Sequence, residues 1–300
     1  MEQRDIEIFL TLADELHFGR AAERLHVSTA RVSQTIKKLE RRIGAPLFER
    51  TSRRVEPTPI GRRLDDELRP AYQQIYDAID RARAAARGIR ESLRVGFIGA
   101  ASGQFVLEVA ETFRTERPDC ELRSYEIQFG NGFTPLRGGE IDMVLATVPD
   151  HVARQADLTS GSVLDQENQL LAVSARHPFA GRPSVAFADL ARTTVLRTPP
   201  AIADHWDRAL LPSHTPDGRP VERGRSFDTT QEMLALVGAG LGTYPVSTQF
   251  TSYYVRPDVA YVPIHDAPLY RRRFHWLSAA ETATIRAFDR AAAAVATTRH

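Results

Sequence analysis

Cysteine is nearly missing from this 300-residue chain, where Cys120 stands alone. No internal disulfide can form, and a zinc site built on clustered thiolates is excluded. Cys120 lies near the start of a predicted strand, where a structural thiol is the ordinary expectation rather than a redox sensor. Long apolar runs are missing too, and nothing approaches the roughly 18 apolar residues in a row that a membrane span needs. Met1-Glu2-Gln3-Arg4-Asp5 is mixed in charge and no apolar segment follows it. The expectation is a chain without a secretory signal, cytoplasmic and with no membrane partner.

Signatures of catalysis are likewise absent. There is no Gly-x-Ser-x-Gly, phosphate-binding P-loop, His-Glu-x-x-His or Gly-x-Gly-x-x-Gly. The glycines of Gly238–Gly242 follow a predicted helix and precede a predicted strand, which reads as a cap and turn rather than a dinucleotide loop. His177, His205, His214, His265 and His275 have no partners at metal-binding spacing. No catalytic residue, cofactor or metal is therefore expected.

What the chain does have is an uneven distribution of charge. Its net charge of +1 hides a surplus of +4 over residues 1–90 and a deficit of −3 over residues 91–300. Between Arg31 and Arg54, the bases Arg31, Lys37, Lys38, Arg41, Arg42, Arg50, Arg53 and Arg54 face only Glu40 and Glu49. A basic stripe on a nearly neutral chain points to a polyanion partner for one module. The alternative is a solvated helix face.

The apolar pattern decides between them. Ile6, Phe9, Leu10 and Ala13 predict a helix from about Arg4 to Glu15, and a short helix with small alanines spans Phe18–Leu25. His26-Val27-Ser28 is a turn, and Ser28 or Thr29 can cap a third helix over Thr29–Ile43. Its buried stripe is Val32, Ile36, Leu39 and Ile43, and Gly44 ends it. Helix, tight turn and capped helix are the elements of a helix-turn-helix. Thr29, Ala30, Ser33, Gln34 and Lys37 fall on the outer face, with Ser28 and Arg31 beside them. Short polar side chains there can reach base edges, while Lys37 and Lys38 suit phosphates. Leu47–Val55 reads as two short strands around a basic tip, a wing that carries Arg50, Arg53 and Arg54, with Arg53 or Arg54 placed to enter a minor groove.

The stretch FLTLADELHFGRAAERLHVS, followed by VSQTIKKLERRIGAPLFERTSRRVEPTPIG, resembles the N-terminal signature of LysR-type transcriptional regulators. The likeness runs over about the first 60 residues without a gap. It departs at Thr29-Ala30, where the family often has Gln-Pro, so the resemblance does not carry the family's operator sequence over. It implies binding of double-stranded promoter DNA, control by a small-molecule effector, a homodimer or homotetramer, and RNA polymerase as a further partner.

A linker follows. Over residues 61–90, Leu64, Leu68, Ala71, Ile75, Ala78 or Ile79, Ala82, Ala85 and Ile89 alternate in steps of four and three. That is a heptad seam, which either meets a twin or lies across the rest of the chain. In the family it resembles, this helix pairs with its twin. Pro70 stands mid-helix and predicts a kink or a local break in hydrogen bonding.

From Ser92 the pattern changes to β-α-β-α-β with short connections, which implies a parallel sheet. The fold class expected overall is α/β: a winged helix-turn-helix over 1–60, a linker helix over 61–90, and a two-lobed α/β domain over 91–300. Two such units, joined by crossovers near 163–170 and 262–270, would enclose a cleft at the carboxyl ends of their strands. This part resembles the family's co-inducer domain and, in fold, periplasmic solute-binding proteins. By that resemblance Ala100, Ala101, Ser102, Gln128, Phe129, Arg197, Thr198, Asp228, Thr229, Thr230 and Tyr244 would surround an effector. The family often places a serine or threonine where Ala100 and Gln128 stand. Arg197 either clamps a carboxylate or phosphate or pairs with Asp228 across the cleft.

Overall fold

The helical spacings of the first sixty residues close on one another. The computed structural model describes residues 2–50, 55–86, 91–198, 210–211 and 213–299, without the side chains of residues 50, 70, 73, 77, 80, 81 and 83–86. Helices α1 (Gln3–Glu15), α2 (Phe18–Arg24) and α3 (Thr29–Ile43) bury Ile8, Phe9, Leu12, Ala21, Val32, Ile36 and Leu39 together. Ser28 Oγ accepts the Arg31 N–H at 3.2 Å, and Gly44 closes α3 at φ +81°, a conformation glycine adopts without Cβ strain. Ile43, expected in the buried stripe, is exposed, because the core ends one turn earlier at Leu39.

Strands β1 (Phe48–Arg50) and β2 (Val55–Pro57) pair antiparallel and form the base of the wing. Phe48 anchors it, its ring 5.6 Å from that of Phe9, and Glu40 Oε1 accepts the Leu47 N–H at 3.0 Å. The expected basic tip, with Arg53 and Arg54, lies outside the described residues, as does the side chain of Arg50.

Helix α4 (Pro59–Ala86) starts where the Thr58 hydroxyl accepts the Gly61 N–H at 3.0 Å. Gly61 is required there, since a Cβ would meet the Leu47 carbonyl oxygen at 2.0 Å. The helix continues through Pro70, which removes one donor without ending it. The heptad seam needs correcting at its start. Leu64 and Leu68 pack, with Tyr72, against the core of their own helix-turn-helix. Arg69 adds to this by bridging Asp14 at 2.9 Å and Asp65 at 2.8 Å. Farther along, Ile75, Tyr76 and Ile79 are exposed.

The chain divides into two units, Met1–Ala82 and Arg83–His300. The second holds two lobes. In the first lobe β3 (Glu91–Phe97) lies between and parallel to β4 (Cys120–Glu126) and β5 (Met143–Thr147). Between them run α5 (Ala100–Glu116) and the short α6 (Thr134–Arg137), and α7 (Asp150–Gln155) and β6 (Leu158–Ser160) follow β5. β5 is an unbroken apolar run because both its faces are covered. Met143 and Leu145 join Phe105, Phe113 and Phe288, whereas Val144 and Ala146 join Leu136, Ile141 and Val152.

The second lobe centres on β8 (Gln169–Ser174), with β11 (Tyr244–Ser247) and β12 (Val259–Pro263) on either side, both antiparallel to it. β9 (Thr194–Arg197) and β10 (Glu222–Ser226) form a parallel pair, and the helices α8 (Thr230–Gly238) and α9 (Phe250–Tyr253) flank β11 in the chain. This lobe is mixed rather than wholly parallel: β9 runs parallel to β10 and, through the Val195–Thr243 bridge, to the start of β11, while β8 runs against both its neighbours. The strand that enters it, β8, sits beside the strand that leaves it, β12, and neighbours of that kind run in opposite directions. The chain crosses on β7 (Asp165–Glu167) and returns on β13 (Tyr270–Leu277), which also pairs antiparallel with β5 and β6. At the crossover Tyr270 stands opposite Glu167 and Arg272 opposite Asp165. Helix α10 (Ala283–Thr298) ends the first lobe by packing on α5.

Candidate functional site

Two places on the molecule collect candidate functional side chains. The first is the outer face of α3. Ser28, Thr29, Ala30, Arg31, Gln34 and Lys37 are exposed along it and Ser33 is half-buried. The buried stripe on the opposite side, reinforced by Thr35, fixes the helix by that side alone and leaves these positions uncovered in the free unit. Lys38 differs from its neighbours. Its Nζ lies 3.1 Å from Oδ2 of Asp5, a carboxylate that the fold buries at the start of α1. Burial pushes the Asp5 carboxyl up, but the Glu2 N–H and Lys38 outweigh it and hold the group below its ordinary value. Lys38 thus has a partner within the fold, and the sequence carried no sign of it because Asp5 is 33 positions away.

The second place is a cavity of about 190 Å³ between the lobes of the C-terminal unit. The first turn of α5 brings Ala100, Ala101 and Ser102 to it, and the second lobe brings Thr230 and Tyr244. Phe129 and Phe227 stack at 5.9 Å with their planes 18° apart, and Tyr244 meets Phe227 edge-on at 4.9 Å. The lobes touch directly beside the cavity. The Tyr254 hydroxyl accepts the Ala100 N–H at 3.2 Å, and the Tyr253 hydroxyl donates to Gln104 at 2.6 Å.

The expected effector residues separate into two groups. Ala100, Ala101, Ser102, Phe129, Thr230 and Tyr244 line the cavity; Gln128, Arg197, Thr198, Asp228 and Thr229 are not among its described lining residues. Arg197 donates its Nε to the Gly224 carbonyl at 3.0 Å and forms no ion pair with Asp228 among the described residues. Asp228 instead offers its N–H to Glu232 at 2.8 Å and its carbonyl to Gly130, and Thr229 caps α8. Lining residues that sequence reasoning did not find include Glu167, Gln249, Arg272, Tyr254 and Tyr270. Arg272 and Asp165 form a buried ion pair although they lie 107 positions apart, so no local spacing announces them.

Burial pushes the Cys120 thiol up to about 11, far from a thiolate at neutral pH. Burial, aided by Arg273, pulls His275 down to about 4, and desolvation lowers His177 as well. Among the described residues there is no group of three or more side chains suited to a metal, and no helix is long and apolar enough to cross a membrane.

Comparison with known proteins covers the segments that carry both places. Residues 3–62 match the family model of the bacterial regulatory helix-turn-helix proteins of the lysR family, and residues 86–297 match the LysR substrate binding domain. The HTH-type transcriptional regulator AlsR of Bacillus subtilis is 33% identical over 191 residues, 63% of this chain and 62% of AlsR. The uncharacterized HTH-type transcriptional regulator YnfL of Escherichia coli is 30% identical over 271 residues, 88% of each chain. Among solved structures, the LysR family transcriptional regulator CbnR has the same fold, with a TM-score of 0.61 at 22% identity over 99% of both chains. Full-length CbnR complexed with its target DNA gives a TM-score of 0.58 at 21% identity, covering 97% of this chain and 99% of that one. An exposed helix-turn-helix face, a two-lobed α/β unit and these two family models together show that the chain belongs to the LysR family and is a DNA-binding transcriptional regulator.

Proposed function

We propose that a small molecule bound between the lobes of the C-terminal unit controls DNA binding by the helix-turn-helix, in a homodimer or homotetramer acting on promoter DNA. The observation that carries this reading is the cavity itself, with one wall from each lobe and the crossover strands β7 and β13 beside it. A ligand touching both lobes favours the arrangement in which both walls reach it. It can shift an equilibrium only by its difference in affinity for the two arrangements. Oligomerisation is supported by Ile75, Tyr76 and Ile79, a row of large apolar side chains that α4 leaves uncovered. A two-fold assembly would present two copies of α3 to a pseudo-palindromic site, in keeping with the target-DNA complex solved for CbnR. On α3 the readers would be Ser33 and Gln34, with Thr29, Ala30 and Arg31, while Lys37 and the wing would hold phosphates.

Footprinting of the full-length protein on the DNA upstream of its own and neighbouring genes, with and without metabolites, tests the reading. It predicts a two-fold symmetric footprint whose extent changes with one metabolite class. A footprint unaffected by any compound that binds the cavity would contradict it.

A further inference from the structure

The chemistry of the cavity restricts what it can hold, granted the reading that an effector binds there. Among the described residues only two charged side chains line it, Glu167 and Arg272. Both are buried; each makes a polar contact, and the Nε of Arg272 has no hydrogen-bond partner among the described residues. The Arg272 guanidinium lies 5.2 Å over the Phe105 ring and its Nη2 donates to Asp165. Glu167 accepts through Oε2 from the Gln249 N–H at 2.8 Å and from the Thr248 hydroxyl at 3.2 Å. With Asp165 bound to Arg272, the three charges leave a surplus of one negative charge.

An anion entering this space would lose its hydration and meet, among the described residues, a single cation, Arg272, whose charge Asp165 and Glu167 together outweigh. That costs far more than burying a neutral polar group that finds hydrogen bonds. The first turn of α5 offers partial positive charge. Its leading donor, the Ala100 N–H, is already taken by the Tyr254 hydroxyl at 3.2 Å, and the methyl groups of Ala100 and Ala101 add no donor. Several other lining groups suit a neutral ligand. The hydroxyls of Ser102 and Thr230 both donate and accept, and Glu167 Oε1 has an acceptor position beyond the bonds made by Oε2. The stacked pair Phe129 and Phe227, with Tyr244 edge-on, forms a wall for a flat ring. A volume of about 190 Å³ suits one ring with a small substituent.

We infer that the cleft selects an uncharged, single-ring molecule whose polar end both donates and accepts hydrogen bonds, such as a primary amide, over its carboxylate counterpart. The full-length protein is titrated calorimetrically with benzamide and with benzoate, which match in size and differ in charge. Benzamide should bind at least roughly tenfold more tightly. Glu167→Gln removes the surplus negative charge, keeps an acceptor for Gln249, and should narrow that ratio by improving benzoate. The wild-type ratio decides the matter even if the variant folds poorly. Benzoate binding as tightly as benzamide, or neither binding at millimolar concentration, would overturn the inference. Operator affinity measured in the same solutions separates it from the regulatory reading. Benzamide that binds without altering DNA affinity would sustain the ligand class and remove the effector role.

Discussion

Lys38→Ala removes the partner of Asp5, and its consequences can be worked out from the structure. The Asp5 side chain is 3% exposed and that of Lys38 is 57% exposed, so one end of the pair is buried and the other wet. Exposed pairs contribute about 0.2–1 kcal/mol, whereas removing one partner of a fully buried pair costs about 3–5 kcal/mol. A half-buried pair falls between, at about 1–2 kcal/mol. For a unit of this size that lowers the unfolding temperature by roughly 4–8 °C per kcal/mol. Asp5→Asn should cancel much of the loss when combined with Lys38→Ala, because the buried charge disappears with its partner. Asp5 is held below its ordinary value of 3.8, so its contribution is present at neutral pH and is lost as pH falls from there through the lower folded value. DNA binding supplies the second readout. Each phosphate contact adds about 0.9 to the slope of log affinity against log salt. A lysine committed to Asp5 leaves that slope nearly unchanged when removed. Lys37 and Lys38 are the only lysines in the chain, so amine labelling of side chains reports on these two alone. Lys38 should label more slowly than Lys37 without DNA, and DNA should protect Lys37 more. A variant with unchanged thermal stability and a slope lower by about 0.9 would refute the reasoning and place Lys38 on a phosphate.

Three further outcomes are expected. Ile75→Glu puts a charge into the exposed apolar row of α4 and should yield monomers with lost operator binding, seen by light scattering; a variant that stays dimeric would show that the row is not the interface. Arg197→Ala should leave ligand affinity in the cavity unchanged within about twofold, since its Nε serves the Gly224 carbonyl and it is not among the described lining residues; a tenfold loss by calorimetry would restore the anion clamp. His275 sits at about 4 when folded against its ordinary 6.5, so the unfolded chain takes up the proton first and stability is lost as pH falls from 6.5 toward 4. Between pH 7 and pH 5 this amounts to about 2 kcal/mol in urea unfolding of the C-terminal unit, and His275→Gln should flatten the dependence.

Legibility in the sequence followed the range of the interaction. The limits of α3 could be read residue by residue because Ser28 and Gly44 act on their own neighbours and the stripe of Val32, Ile36 and Leu39 repeats at helical spacing. β5 was readable for a similar reason, as a short apolar run between turns. Where two elements meet, local pattern failed. Ile43 continues the stripe in sequence but extends past the core, and Leu64 and Leu68 belong to a seam by spacing yet pack on their own domain. The cleft shows the limit most clearly. Its α5 edge follows from the strand-glycine-helix junction, but Glu167 and Arg272 converge only because β7 and β13 pair, and Gln249 joins them from the second lobe through its N–H to Glu167. Antiparallel β8 was hidden as well, since an apolar strand looks the same in either direction.

The account rests most directly on α3 reading base edges, and selection of bound sites from random DNA by the wild type and by Gln34→Ala tests that. Gln34 is exposed on the outer face of the helix, clear of the buried stripe. The wild type should enrich a two-fold symmetric site. Gln34→Ala should lose about 1–3 kcal/mol on that site and little on random DNA, with preference relaxed at one base pair in each half. Equal losses on both DNAs, or an unchanged enriched site, would contradict the claim.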